Sequence, residues 1–255
     1  MLDYFAIFLG CGIFVFVTEK YRTSALFFTL CVAVLFPLIQ DSGGWNLFYL
    51  VKTYSVIIPI IILSLTQSRF YHEVGWIRNL HDYIPNLIKL FFIINILEGS
   101  LLLFHLKQYI IGLCGLILII TMPRFSLNDS QNFGFENIVW VMSYVFCFVV
   151  GVILYPHPTD FKYPIFVALT IPIIFCYILK DWSKWFSFRV YSIYFILVLD
   201  VFFSNGDFSI YDSVGGFLSL KNNHINANGG YFLQFIVIVF SGYLVKKWWA
   251  NNPEN

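Results

Sequence analysis

The chain has 255 residues, of which 59% are hydrophobic and 11% charged, with a mean hydropathy of +0.78 and a formal net charge of +1. Soluble domains carry about 25% charged residues, so the composition excludes an ordinary water-soluble domain, and the near-neutral charge gives no footprint for a nucleic-acid partner. The longest hydrophilic stretches, 66–83, 123–136 and 204–229, are too short for a separate domain, so residues 1–255 are predicted to form one integral membrane domain.

A membrane-spanning helix needs about 20 apolar residues. Taken in chain order, the segments that qualify are 2–18, 23–40, 45–65, 84–104, 108–122, 136–155, 163–179, 185–203 and 230–248. The fold class predicted is therefore all-α, a polytopic transmembrane helix bundle of about nine spans. The start, Met1-Leu2-Asp3-Tyr4, lacks the basic stretch of a signal peptide, so the first span is expected to be retained. The fifth segment is short and contains Gly112 and Gly115, which leaves a re-entrant alternative open. The loop Ser204–Gly230 reads as turns, with a short surface helix near Val214–Leu220. Trp182 and Trp185 flank the eighth span and Trp248 and Trp249 follow the ninth, in the manner of interfacial anchors.

Basic residues orient the bundle. On the nine-span reading Lys20, Arg22, Arg69, Arg78, Arg124, Lys180, Lys184, Lys246 and Lys247 share one side, and Lys107, Lys162 and Lys221 the other. Cytoplasmic loops carry the excess of Lys and Arg, so the N-terminus is expected outside and the C-terminus inside. Lys89 and Arg189 fall about a turn from the cytoplasmic ends of their spans, where snorkelling is the expectation. Glu19, Lys20 and Arg22 read as a solvated turn.

The candidate site is polar residues inside spans, where a charge costs roughly 3 kcal/mol or more and needs a partner or a wet cavity. Lys52 in the third segment and Glu98 in the fourth have opposite signs. Helical rise places each roughly 10 Å below the outer surface, which predicts an ion pair. Ser55 and Pro59 share the face of Lys52, and Asn95 shares the face of Glu98. Tyr54 lies about 100° round from Ser55 and is expected against another neighbour. Asp200, near the outer end of the eighth segment, is a further member.

The site is expected to serve a small solute or an ion, as in a transporter or channel. Two alternatives stay open: a membrane-embedded enzyme acting on a lipid or isoprenoid with Glu98 as acid/base, and a non-catalytic subunit of a membrane complex. No cofactor and no metal centre are predicted, and no hydrolase, Walker or zinc motif is present. Cys11, Cys31, Cys114, Cys147 and Cys176 all lie in apolar segments and are expected to form no disulfide. The partner expected is the lipid bilayer, with oligomerisation open.

The order of short motifs resembles an uncharacterised family of multi-spanning prokaryotic membrane proteins, a domain of unknown function. The motifs are Glu19-x-x-Arg22, Val51-Lys52-x-Tyr54-Ser55, Asn95-Ile96-Leu97-Glu98, Gly112-x-x-Gly115, Thr170-Ile171-Pro172, and Trp185 with Arg189. The chain departs from the family pattern at Leu101-Leu102-Leu103, Phe188 and Phe146-Cys147-Phe148. The resemblance implies the plasma (inner) membrane of a prokaryote and adds weight to Lys52 and Glu98; it brings no assigned activity.

Overall fold

The computed structural model describes residues 2–39, 47–68, 83–105, 107–127, 133–134, 137–154, 162–203 and 227–251. The α-helices among them are α1 (Leu2–Lys20), α2 (Arg22–Ile39), α3 (Leu47–Thr66), α4 (Ile84–His105), α5 (Tyr109–Ile120), α6 (Ile138–Ile153), α7 (Lys162–Leu179), α8 (Trp185–Phe203) and α9 (Ala227–Asn251). They fall on the nine predicted apolar segments, with ends shifted by a few residues. Ser126–Leu127 (β1) and Phe133–Gly134 (β2) form a two-residue antiparallel ladder between α5 and α6. The helix predicted near Val214–Leu220 lies outside the described residues.

Two helical stretches, Ile84–His105 and Gly230–Asn251, are long and apolar enough to cross a membrane. Their outward faces are as apolar as their inward ones. α4 buries Ile84, Ile88, Phe92 and Ile96, yet exposes Leu87, Leu90, Ile94, Leu97 and Leu101. Among its described side chains α9 buries only the stripe Val237, Ser241, Leu244, and exposes Phe232, Phe235, Val239 and Tyr243 around it. A helix apolar all round has no preferred water-facing side.

Two packing groups meet where α3 packs on α4 and α6 packs on α7. α8 packs on α7, α1 and α3; α5 packs on α4, α6 and α9; α3–α4 and α6–α7 contacts join the groups. Small residues set the closest approaches. A Cβ on Gly115 would stand 2.1 Å from Ser100 Oγ and 3.2 Å from Ser100 Cβ, and one on Gly99 would stand 2.6 Å from the Phe148 ring. The Gly112-x-x-Gly115 spacing is thus a contact face of α5 on α4, where small residues let two helices approach closely. α5 itself has 12 residues, about 18 Å. Gly115→Ala is expected to destabilise by about 1–3 kcal/mol. Adding Ser100→Gly removes the obstructing atoms and should recover more than half of the loss in detergent melts; no recovery would place the strain elsewhere.

Several connections gather at one end of the bundle. Glu19 at the end of α1 pairs with Arg22 at the start of α2, and Lys184 before α8 stands 3.3 Å from the same carboxylate. β2 packs against the 3-10 turn Trp182–Lys184. Gln67, just past α3, accepts from Tyr191 of α8 at 2.8 Å. Glu19 is therefore not in an open turn: its side chain is 13% exposed and one of its oxygens is buried. Glu19→Gln leaves two cations against a neutral amide, and a cost of about 1–2 kcal/mol is expected, between the values for surface and buried pairs. A melt indistinguishable from the parent would mean that solvent screens the cluster.

Candidate functional site

α8 starts inside the packed protein. α7 ends at Lys180 in the left-handed region (φ 53°), with Asp181 N–H donating to the Cys176 carbonyl at 3.1 Å. Asp181 then caps the 3-10 turn by accepting from Ser183 N–H (3.1 Å) and Ser183 Oγ (2.6 Å). This turn and the β ladder occupy the end of the bundle, and Trp185 at the first position of α8 is 0% exposed. Trp185 packs against Phe92 and Tyr144 instead of anchoring an interface. That corrects the expectation for Trp185, and with it the expectation for Arg189 one turn further on.

Arg189 does not snorkel. It is 6% exposed, and its guanidinium donates through Nε (3.3 Å) and Nη2 (3.1 Å) to the Tyr144 hydroxyl and through Nη1 (3.4 Å) to the Ala168 carbonyl. Ser192 Oγ donates to the same Ala168 carbonyl at 2.8 Å. Among the described residues no carboxylate pairs with Arg189. Elsewhere on α8, Tyr191 bonds Gln67, whose amide donates to Ser187 Oγ at 3.4 Å. Hydrogen-bonded polar groups are tolerated in an apolar interior where orphaned ones are not.

Beside Arg189 lies a cavity of about 30 Å³ between α3, α4 and α8, lined by Ser55, Val56, Pro59, Ile88, Phe91, Phe92, Asn95, Phe186, Arg189, Val190 and Ile193. A water needs only about 10–15 Å³, so there is room for about two. Pro59 has no N–H to give to the Ser55 carbonyl one turn earlier, and both residues face the cavity. Asn95 makes no side-chain hydrogen bond among the described residues.

Of the residues predicted from sequence, Ser55 and Asn95 come together on this wall. Tyr54 turns away and donates to the Ala33 carbonyl on α2 at 3.1 Å. Glu98 is half-buried one turn beyond Asn95 and outside the lining. Lys52 lies on α3 and Asp200 on α8, and the side chains of both are outside the described residues, as is any Lys52–Glu98 pair. Sequence reasoning missed Arg189, Tyr144, Gln67 and Ser187. The available signal was the concentration of Ser187, Arg189, Tyr191, Ser192 and Tyr194 in one apolar segment. All five cysteines are free, and no cluster of metal-binding side chains occurs among the described residues.

No family model, curated protein or solved structure matches this chain.

Proposed function

We propose that the chain is a polytopic membrane protein in which all nine helices cross the bilayer, N-terminus out and C-terminus in, and that it is a transporter or channel for a small solute or ion. The observation that carries this reading is a small cavity between α3, α4 and α8 whose lining includes Ser55, Asn95 and the buried residue Arg189. Ionisable groups within apolar helices are retained where a pathway or site needs them. The apolar outward faces of α4 and α9 support the membrane reading. The meeting of Glu19, Arg22, Lys184 and Gln67 supports the topology, because the basic-residue count assigns those connections to one side. Lys52, Glu98 and Asp200 are proposed as the outer continuation of the same polar region, and the resemblance to the multi-spanning prokaryotic family and its inner-membrane location belong to this proposal.

The test is access. In a background without the five native cysteines, Asn95→Cys is expected to react in intact membranes with a small, charged thiol reagent. Ile96→Cys, which is 0% exposed and faces packed side chains, should not. Equal inertness at the two positions would mean a dry interior and would remove the transport reading. A reporter fused after Asn255 should behave as cytoplasmic, and external behaviour would reverse the topology.

A further inference from the structure

We infer that the outward face of α9 seats an anionic phospholipid, with the headgroup on Lys246 and Lys247 and an acyl chain along Phe235, Val239 and Gly242. The inference rests on the membrane reading of the chain. α9 packs on α5 and α6 and leaves its other sides open. Positions 235, 239, 242, 246 and 249 follow at i, i+4, i+7, i+11 and i+14, so they share one side of the helix. Phe235, Val239, Lys246 and Trp249 are exposed there, and Lys247 is exposed beside them. A Cβ on Gly242 would meet nothing within 4 Å, so a chain can lie against the backbone between Val239 and Lys246. Read along the helix, this side is apolar, then open, then cationic with a tryptophan. A phospholipid has the same order of chain, glycerol and phosphate.

The direction of α9 puts the lysines at the basic end of the bundle. α6 and α9 run antiparallel: a Cβ on Gly230 would stand 3.5 Å from Leu154 at the end of α6, and the Phe146 and Phe240 rings lie 6.0 Å apart. The last turns of α9 therefore lie where α6 begins, at the end that holds the β ladder and the turn Trp182–Lys184. On the proposed topology that end is cytoplasmic. Glu19 is taken up by Arg22 and Lys184, and Asp181 by Ser183. Among the described residues no carboxylate pairs with Lys246 or Lys247. The cytoplasmic leaflet is negative, and each lysine close to it strengthens binding about fivefold. An acyl chain gains little by leaving other lipid for protein, so the headgroup decides which lipid sits here. Two cations favour phosphatidylglycerol over the zwitterionic phosphatidylcholine.

The full-length protein in neutral detergent is melted with increasing mole fractions of phosphatidylglycerol, with phosphatidylcholine as reference. Phosphatidylglycerol is expected to raise Tm saturably, by about 3 °C near a tenfold excess over half-saturation. Lys246→Gln and Lys247→Gln should each raise the half-saturating fraction about fivefold, and together about 25-fold. Lys20→Gln with Lys180→Gln removes the same charge from exposed positions at the same end, away from α9, and should change it less than about twofold. No shift above the phosphatidylcholine reference, or an equal loss in the two double variants, overturns the inference. Sodium phosphate at the same ionic strength should give no shift; a shift that needs Lys246 and Lys247 would assign the anion to free phosphate and overturn the lipid. Location is read from tryptophan fluorescence. Phosphatidylglycerol with brominated chains should quench it more than brominated phosphatidylcholine, and the excess should vanish in Trp248→Phe with Trp249→Phe. An unchanged excess in that variant puts the lipid elsewhere and overturns the site. A chain that stays monodisperse in buffer without detergent removes the membrane reading and this inference with it. A detergent-dependent chain indifferent to phosphatidylglycerol overturns this inference alone.

Discussion

Truncating Phe92 to alanine is expected to lower the unfolding free energy in detergent by about 3 kcal/mol or more. Phe92 is 6% exposed and its ring meets those of Phe125, Trp140, Tyr144, Trp185 and Phe186, with centroids 5.3–6.2 Å away. These partners come from α6, α8 and the segment after α5, so one side chain on α4 ties the two packing groups together. On the proposed membrane reading lipid replaces water around the bundle, and moving Phe between lipid and the interior gains little by transfer. What remains is dispersion over many close contacts, which a cavity forfeits outright. Leu90→Ala on the outward face of the same helix leaves no internal void and should cost less than about 1 kcal/mol. Equal losses for the two variants would show that the aromatic cluster is not the interior that holds the helices together.

The second large effect is expected from a double-mutant cycle on Tyr144 and Arg189. Tyr144→Phe removes the acceptor of two N–H bonds and leaves a buried cation with one carbonyl. The expected loss is about 1.5–3 kcal/mol, the range for hydrogen bonds to charged groups. Arg189→Met replaces the charge by an apolar chain, and buried charges replaced in this way often leave stability unchanged or raised by about 1–4 kcal/mol. In the Arg189→Met background Tyr144→Phe should therefore cost less than about 1 kcal/mol, since no stranded charge remains. Additive losses would mean that the hydroxyl does not hold the guanidinium. A gain in stability from Arg189→Met would show that the charge is kept for something other than folding.

The positions of the helices were legible in the sequence because they follow from local composition. Runs of apolar residues bounded by polar clusters mark α1 to α9 to within a few residues, and Pro85 falls in the first turn of α4, where a missing N–H costs nothing. Part of the candidate site was legible too. The i, i+4 spacing of Ser55 and Pro59 puts both on one face of α3, and that face meets Asn95 of α4 at the cavity. Gly112 and Gly115, which left a re-entrant segment open, have a packing role that appears only once Ser100 and Phe104 are seen against them.

What the sequence could determine by itself was the apolar character of the chain, the helical segments and a short set of polar residues with no water-facing reason to exist. Which side of each helix turns inward was decided by tertiary structure alone. Inward Ile88, Phe92 and Ile96 and outward Leu90, Ile94 and Leu97 are chemically alike, so no periodic contrast of polarity exists for a reader to find. The depth of Arg189 was decided in the same way. Counted from the first apolar residue it lies near an edge; the 3-10 turn Trp182–Lys184 and β2 pack together at the start of α8, and Trp185 and Arg189 are both buried. Hydropathy along a chain measures distance from the ends of a segment, whereas burial depends on what other segments stack upon those ends.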